Sequence, residues 1–162
     1  MTAARQVIAL QDAFWQAGEA LMFRHTTPWE LDEALEAWGY GIGPCAAQDL
    51  MGLDKVLARQ PNRAAPILPR MVAEGRIGKL GGVGYFRYPG GGGAVIDPLI
   101  EDMFREEAWF AKVARSPLGD GAVITAMHEA LAQVLLEIGV DRHAADGLLQ
   151  DAVQFPAGRA LI

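Results

Sequence analysis

The chain is 162 residues long, 51% hydrophobic and 21% charged, which fits one compact domain or two small half-domains sharing a core and excludes a disordered chain. Fourteen Lys+Arg against twenty Asp+Glu leave a formal net charge of −6, the wrong sign for a general nucleic-acid binder, which needs a basic face to replace phosphate counterions. The single cysteine, Cys45, rules out a disulfide framework and a Cys-based zinc site.

Val7, Leu10, Phe14, Ala17 and Leu21 recur at steps of three and four, which predicts a first helix ending near Arg24-His25. A second helix is announced by Thr27-Pro28-Trp29-Glu30: an N-cap threonine, proline at the first helical position, and Glu30 placed for a capping box. Leu31, Ala34, Leu35 and Trp38 form its apolar face and Gly39 stops it. The turn Gly39-Tyr40-Gly41-Ile42-Gly43-Pro44 launches a third helix with Ala46, Leu50, Leu53 and Leu57 on one stripe. Prolines interrupt residues 61–69, and a short helix carrying Leu68, Met71 and Val72 closes at Gly75. Residues 76–88 read as a glycine-rich loop followed by an extended aromatic segment.

Four consecutive glycines, residues 90–93, predict a flexible link. Asp97-Pro98 starts a further helix with Ile100, Met103 and Phe104 inward. After Ser116-Pro117-Leu118-Gly119 comes a long helix with Val123, Met127, Ala130 and Val134 on one stripe, ended by Gly139. Asp141 is expected to cap a last helix that buries Ala145, Leu148, Leu149 and Ala152. The fold class expected is all-α. No uncharged apolar run reaches the ~20 residues of a membrane span, and the N-terminus leads into an amphipathic segment rather than a signal peptide. A reducing, cytoplasmic setting follows, with neither membrane nor nucleic acid as partner.

The two ends of the chain look alike. A helix containing Gly18-Glu19-Ala20 leads to Leu31-Asp32-Glu33-Ala34-Leu35, Tyr40 and a Gly-Pro turn; His128-Glu129-Ala130 leads to Ala145-Asp146-Gly147-Leu148-Leu149 and Phe155-Pro156. A repeated helix pair would pack its two copies face to face as an intrachain pseudo-dimer. The division expected is a first helical half-domain over residues 1–89, a Gly-rich linker over 90–96, and a second, shorter half-domain over 97–162.

Catalytic constellations are scarce. His25 lies at a helix end, His128 adjoins Glu129 about 100° around the helix rather than facing it, and His143 reads as exposed. No spacing resembles a metal-ligand motif, so no metal is expected. Cys45 reads as a small apolar side chain at a helix start, where the helix dipole could lower its pKa. Gly78-Lys79-Leu80-Gly81-Gly82-Val83-Gly84 is neither a P-loop nor a dinucleotide fingerprint, because no buried strand precedes it and no helix follows. Arg76 and Lys79 stay open as contacts to a phosphorylated ligand. The residues alone describe a helical packing module without a catalytic engine.

Trp38-Gly39-Tyr40-Gly41-Ile42-Gly43-Pro44 followed by Asp49-Leu50-Met51-Gly52-Leu53-Asp54 resembles the C-terminal domain of 3-hydroxyacyl-CoA dehydrogenases, whose pattern is close to G-[FY]-P-x-G-P and D-x-x-G-[LI]-D. Glu74-Gly75-Arg76-Ile77-Gly78 and Gly82-Val83-Gly84-Tyr85-Phe86-Arg87-Tyr88 are similar to the family's E-x-G-R-x-G-x-K-T-G-x-G-[FY]. The second copy resembles the extra repeat of the multifunctional fatty-acid oxidation enzymes. The resemblance implies NAD-dependent oxidation of (S)-3-hydroxyacyl-CoA in β-oxidation, with NAD and the catalytic pair on a Rossmann domain that this sequence does not contain. No cofactor is then expected on this chain, and the implied partners are that domain and the acyl-CoA. An apolar face left bare by that domain leaves self-association open.

Gly39, Tyr40, Gly43, Pro44, Asp49, Gly52, Asp54, Arg76, Gly78, Gly82, Gly84 and Tyr85 carry the resemblance, in mainly structural roles. The family's substrate-lining Asn falls at Ile8, its turn proline at Gly41, and its Lys-Thr at Leu80-Gly81, so catalytic roles do not transfer. A stand-alone binding or assembly module of the same fold is the second reading, motivated by Met1 directly before the first helix and by Ile8.

Overall fold

Thr2 accepts a hydrogen bond from the Arg5 amide and opens α1 (Ala3–Arg24), the helix around which the rest of the molecule assembles. The computed structural model describes residues 1–162 as all-helical, with single-pair β-bridges and no strand. Thr27 caps α2 (Pro28–Trp38) by accepting from Glu30 N at 3.3 Å. The reciprocal half of the expected capping box is replaced: Glu30 Oε2 accepts from the Thr26 hydroxyl instead.

The third predicted helix is two helices, α3 (Pro44–Met51) and α4 (Leu53–Arg59). Gly52 separates them at φ +104°, a conformation that side chains with a Cβ rarely adopt. The break also lets Leu53 N donate to Ile77 O at 2.8 Å. It rotates the expected stripe out of register, so Leu50 is exposed while Leu53 and Val56 are buried.

After α5 (Leu68–Ala73), the aromatic segment pairs through isolated bridges, Gly78 with Val83, Val83 with Arg87 and Arg87 with Val95. The four glycines are therefore not a free link. Pro89–Gly91 is a 3-10 turn, and Arg87 and Val95 exchange backbone hydrogen bonds of 2.9 and 2.8 Å across it. Asp97 caps α6 (Pro98–Phe110) through Leu99 N, and α7 (Asp120–Glu137) follows. Asp141 caps a 3-10 turn, Arg142–Ala144, by accepting from His143 N, and α8 (Asp146–Val153) starts only at Asp146.

α7 and α8 pack along α1, and α6, α2 and α3 also lie against it. One continuous apolar core results, including Leu10, Phe14 and Met22 of α1, Met127 and Leu131 of α7, and Leu149 of α8. Burying each such side chain contributes about 1.5–3 kcal/mol relative to leaving it in water. At Gly18 a Cβ would stand 3.1 Å from Leu31 Cδ2 and 3.5 Å from Met127 Cε, so a small residue sets the approach of α2 and α7 to α1.

The matched ends of the chain do not share their acidic chemistry. Glu19 and Asp32 are buried, whereas Glu129 and Asp146 are exposed. Tyr40 and Phe155, which occupy matching places, meet edge-on with ring centroids 5.7 Å apart.

Candidate functional site

The motif residues converge on two buried carboxylates. Asp32 on α2 receives the amides of Cys45 and Ala46, each at 2.9 Å, and so holds the N-terminus of α3 behind Pro44. Gly43 makes room for it, since a Cβ there would lie 2.2 Å from Asp32 Cγ. Burial raises Asp32 to about 7 against the lowering effect of both amides. Asp49 on α3 gathers the glycine-rich segment: Oδ1 accepts from Tyr85 N at 2.8 Å, and Oδ2 from Phe86 N at 3.0 Å and the Tyr88 hydroxyl at 2.7 Å. Burial raises Asp49 to about 6.

The loop glycines fit tightly around Asp49. A Cβ at Gly78 (φ +118°) would stand 2.4 Å from Asp49 O, and one at Gly84 2.2 Å from Asp49 Oδ1. Gly82 turns at φ +86° and its carbonyl accepts from Tyr88 N. Arg76 braces the same loop by donating to Gly84 O at 3.0 Å and to Asp97 at 2.7 Å. Its guanidinium is thus engaged inside the fold. Lys79 lies over the Tyr88 ring at 5.9 Å, and Leu80 at the loop tip is fully exposed. Asp54 is exposed in the first turn of α4, close beside Gly52.

Gly39, at φ +132°, ends α2 and hands the chain to Tyr40, which is buried in an aromatic seam with Trp38, His128 and Phe155. His128 is fully buried, which its position beside Glu129 did not disclose. Ile162 N donates to its Nδ1 at 3.2 Å, so Nε2 carries the proton and donates to the Tyr40 hydroxyl at 3.1 Å. Burial, reinforced by Arg159 and Arg142, lowers His128 to about 4. Sequence reasoning also missed Arg115, which donates to the carbonyls of Met22, Phe23 and Thr26 and closes the C-terminal end of α1.

The remaining candidates are accounted for by packing. Cys45 Sγ donates to Met22 Sδ at 3.5 Å and is fully buried. Desolvation and the neighbouring carboxylates push its thiol well up, overturning the lowering expected from the helix dipole. His25 is half-buried, its Nδ1 2.9 Å from Ser116 O, and His143 is exposed. No group of three His, Cys, Asp or Glu side chains could hold a metal ion. No helix is long and apolar enough to cross a membrane.

Two concave surfaces flank α1. A cleft of about 360 Å³ beside the end of α1 is walled by polar side chains such as Glu30, Glu101 and Arg105. On the opposite half of α1, Ile8 is exposed one helical turn from Gln11 and Asp12, both bonded to Arg59. A hollow of about 100 Å³ opens next to them between Gln11, Trp15, Ile42 and Gln154. Gly41 borders it, where a Cβ would meet Gln154 Oε1 at 3.2 Å.

No protein-family model matches the chain. Over 51% of its length it is 30% identical to the peroxisomal bifunctional enzyme of Danio rerio, of which it spans 15%. The crystal structure of the dehydrogenase part of multifunctional enzyme 1 from C. elegans superposes with a TM-score of 0.76 at 18% identity, covering 98% of this chain and 38% of that one. The chain therefore has the fold of a helical portion of that dehydrogenase structure, and it spans well under half the length of either relative.

Proposed function

We propose that this chain is the helical, substrate-side portion of an NAD-dependent (S)-3-hydroxyacyl-CoA dehydrogenase of fatty-acid β-oxidation, with the chemistry on a separate Rossmann domain. The observation that carries this reading is the superposition of nearly the whole chain on little more than a third of a dehydrogenase structure. The internal chemistry is compatible with a wall: Asp32, Asp49, Arg76 and His128 are spent on holding loops and helices. NAD would bind the Rossmann domain, and no residue of this chain is assigned to it. The two halves, residues 1–89 and 97–162, would act as an intrachain pseudo-dimer, a reading supported by α1 against α7 and by the Tyr40–Phe155 contact. A site between domains needs such a rigid wall with few titratable groups of its own.

The test is NADH oxidation with acetoacetyl-CoA. The isolated chain is expected to show none, and measurable turnover by it alone sinks the proposal.

Exposed Ile8, in the place where the family carries a substrate-lining Asn, favours a second reading as a non-catalytic assembly module of the same fold. An immunoblot of the source cells separates the two. A band several times larger than 17.4 kDa supports the dehydrogenase portion, and a band at that mass supports the module.

A further inference from the structure

Arg142 and Arg159 come from separate turns and line one pocket of about 280 Å³. Arg142 stands in the 3-10 turn that Asp141 caps, and its Nη2 donates to Leu161 O at 3.0 Å. Arg159 is placed by the turn Pro156–Arg159, in which its amide donates to Pro156 O at 3.4 Å. Gly158 takes φ +78° there, the positive value that a type II turn reserves for glycine at its third position. The Arg159 guanidinium lies 3.8 Å over the Trp38 ring and donates through Nη1 to Trp38 O. Each guanidinium is thus anchored through one terminal nitrogen, with the rest of its donor fork uncommitted. The ion pairs of the chain use Arg59, Arg63, Arg70, Arg76 and Arg105. Neither Arg142 nor Arg159 has a carboxylate partner, although Asp146 borders the same pocket. Carboxylates are in excess in a chain of net charge −6, so two anchored, unpaired cations in one hollow are a local surplus of positive charge.

We propose that this pocket binds a small organic phosphate monoester, its phosphate held by Arg142, Arg159 and His143 and its carbon body set against Leu149 and Phe155. The donor set selects the head group. Guanidinium forks match phosphate oxygens bidentately and keep their charge at every physiological pH. His143, exposed at the same rim, donates a further N–H even when its ring is neutral. Three donor groups suit the three terminal oxygens of a phosphate better than the two of a carboxylate. Two cations against the single carboxylate of Asp146 also favour a dianion over a monoanion. Leu149 and Phe155 give the pocket an apolar floor that inorganic phosphate would not use. The volume lies just below the range of about 300–1,000 Å³ typical of ligand pockets, which keeps the ligand small. The site shares no residue with the hollow beside Gln11, so it stands whether or not the chain serves a dehydrogenase.

Proton–nitrogen NMR spectra of the full chain, titrated with phenyl phosphate at constant ionic strength, read the site directly. Saturable shifts are expected at the amides of Arg142, His143 and Gly158–Leu161. Binding should weaken at least about tenfold in Arg142→Gln and in Arg159→Gln, as the loss of charge-assisted hydrogen bonds requires. Arg5→Gln makes the same charge change outside the pocket and should bind like the wild type. Shifts that spread over the surface without saturating overturn the proposal, as does unchanged affinity in Arg142→Gln. Inorganic phosphate binding as tightly as phenyl phosphate overturns the organic body, and benzoate binding as tightly overturns the phosphate head. Should either arginine variant loosen the C-terminal segment, His143→Ala decides, because that exposed side chain holds nothing in the fold. Weaker binding there supports the proposal, and unchanged binding overturns it.

Discussion

Asp49 occupies the space that a side chain at Gly84 would need: a Cβ there would stand 2.2 Å from Asp49 Oδ1. Gly43 stands in the same relation to Asp32, at 2.2 Å from Cγ. Gly84 and Gly43 are thus each the counterpart of a buried carboxylate.

Gly84→Ala and Gly43→Ala are expected to destabilise the fold by about 3 kcal/mol or more, because the clash is with a carboxylate already fixed by backbone amides. Gly121→Ala is the control: it lies in the first turn of α7 with nothing within 4 Å of the added methyl. It should stabilise by about 0.5–1 kcal/mol through helix propensity. Urea unfolding midpoints of the three variants check both signs.

Asp32 makes stability depend on pH in the unusual direction for a carboxylate. Its pKa rises from 3.8 to about 7 on folding, so between those values the folded chain binds more protons than the unfolded one. The contribution is fully present below pH 3.8 and is lost as pH rises towards 7. Asp32→Asn carries no such proton. The stability of wild type minus that of Asp32→Asn should therefore decline from about pH 4 to about pH 7 and stay level above. A difference that rises with pH would show the two amides of α3 outweighing desolvation.

His128 runs the other way. Its pKa falls from 6.5 to about 4, so the stability it contributes is present above pH 6.5 and is lost as pH falls through that window towards 4. Nitrogen-15 NMR should show a neutral ring protonated on Nε2 at pH 6. A charged imidazole at that pH contradicts the Ile162 hydrogen bond, which needs an unprotonated Nδ1.

Arg115→Met should cost about 2–3 kcal/mol, because the half-buried guanidinium serves three carbonyls at the end of α1 and its loss leaves them unpaired. Thermal unfolding reads the loss. Hydrogen exchange should localise it to the last turn of α1, whereas a variant that loses only surface charge would leave those amides protected.

Most helix starts were legible in the chain because they are local: Thr27-Pro28 and Asp97-Pro98 need only their own next three residues to form a cap. The break at Gly52 was not legible. Apolar spacing continues through it, and what interrupts the helix is Ile77 O, which lies 24 residues further on and takes the Leu53 amide. The glycine run failed in the same way, since its turn exists only because Arg87 and Val95 pair across it. Of the motif residues, Gly43, Asp49 and Gly84 could be picked out by their pattern. Their partnership could not, because Asp49 and Gly84 are 35 positions apart and meet through the tertiary fold.

By itself the sequence determined an all-α chain, most of its helix ends and the residues that resemble a dehydrogenase domain, since each depends on neighbours in the chain. The tertiary structure alone decided which polar groups are buried. Glu19, Asp32, Asp49 and His128 sit in stretches whose spacing also suits exposed helix faces, and a polar residue enters a core only where a distant part of the chain brings the partner that offsets its desolvation.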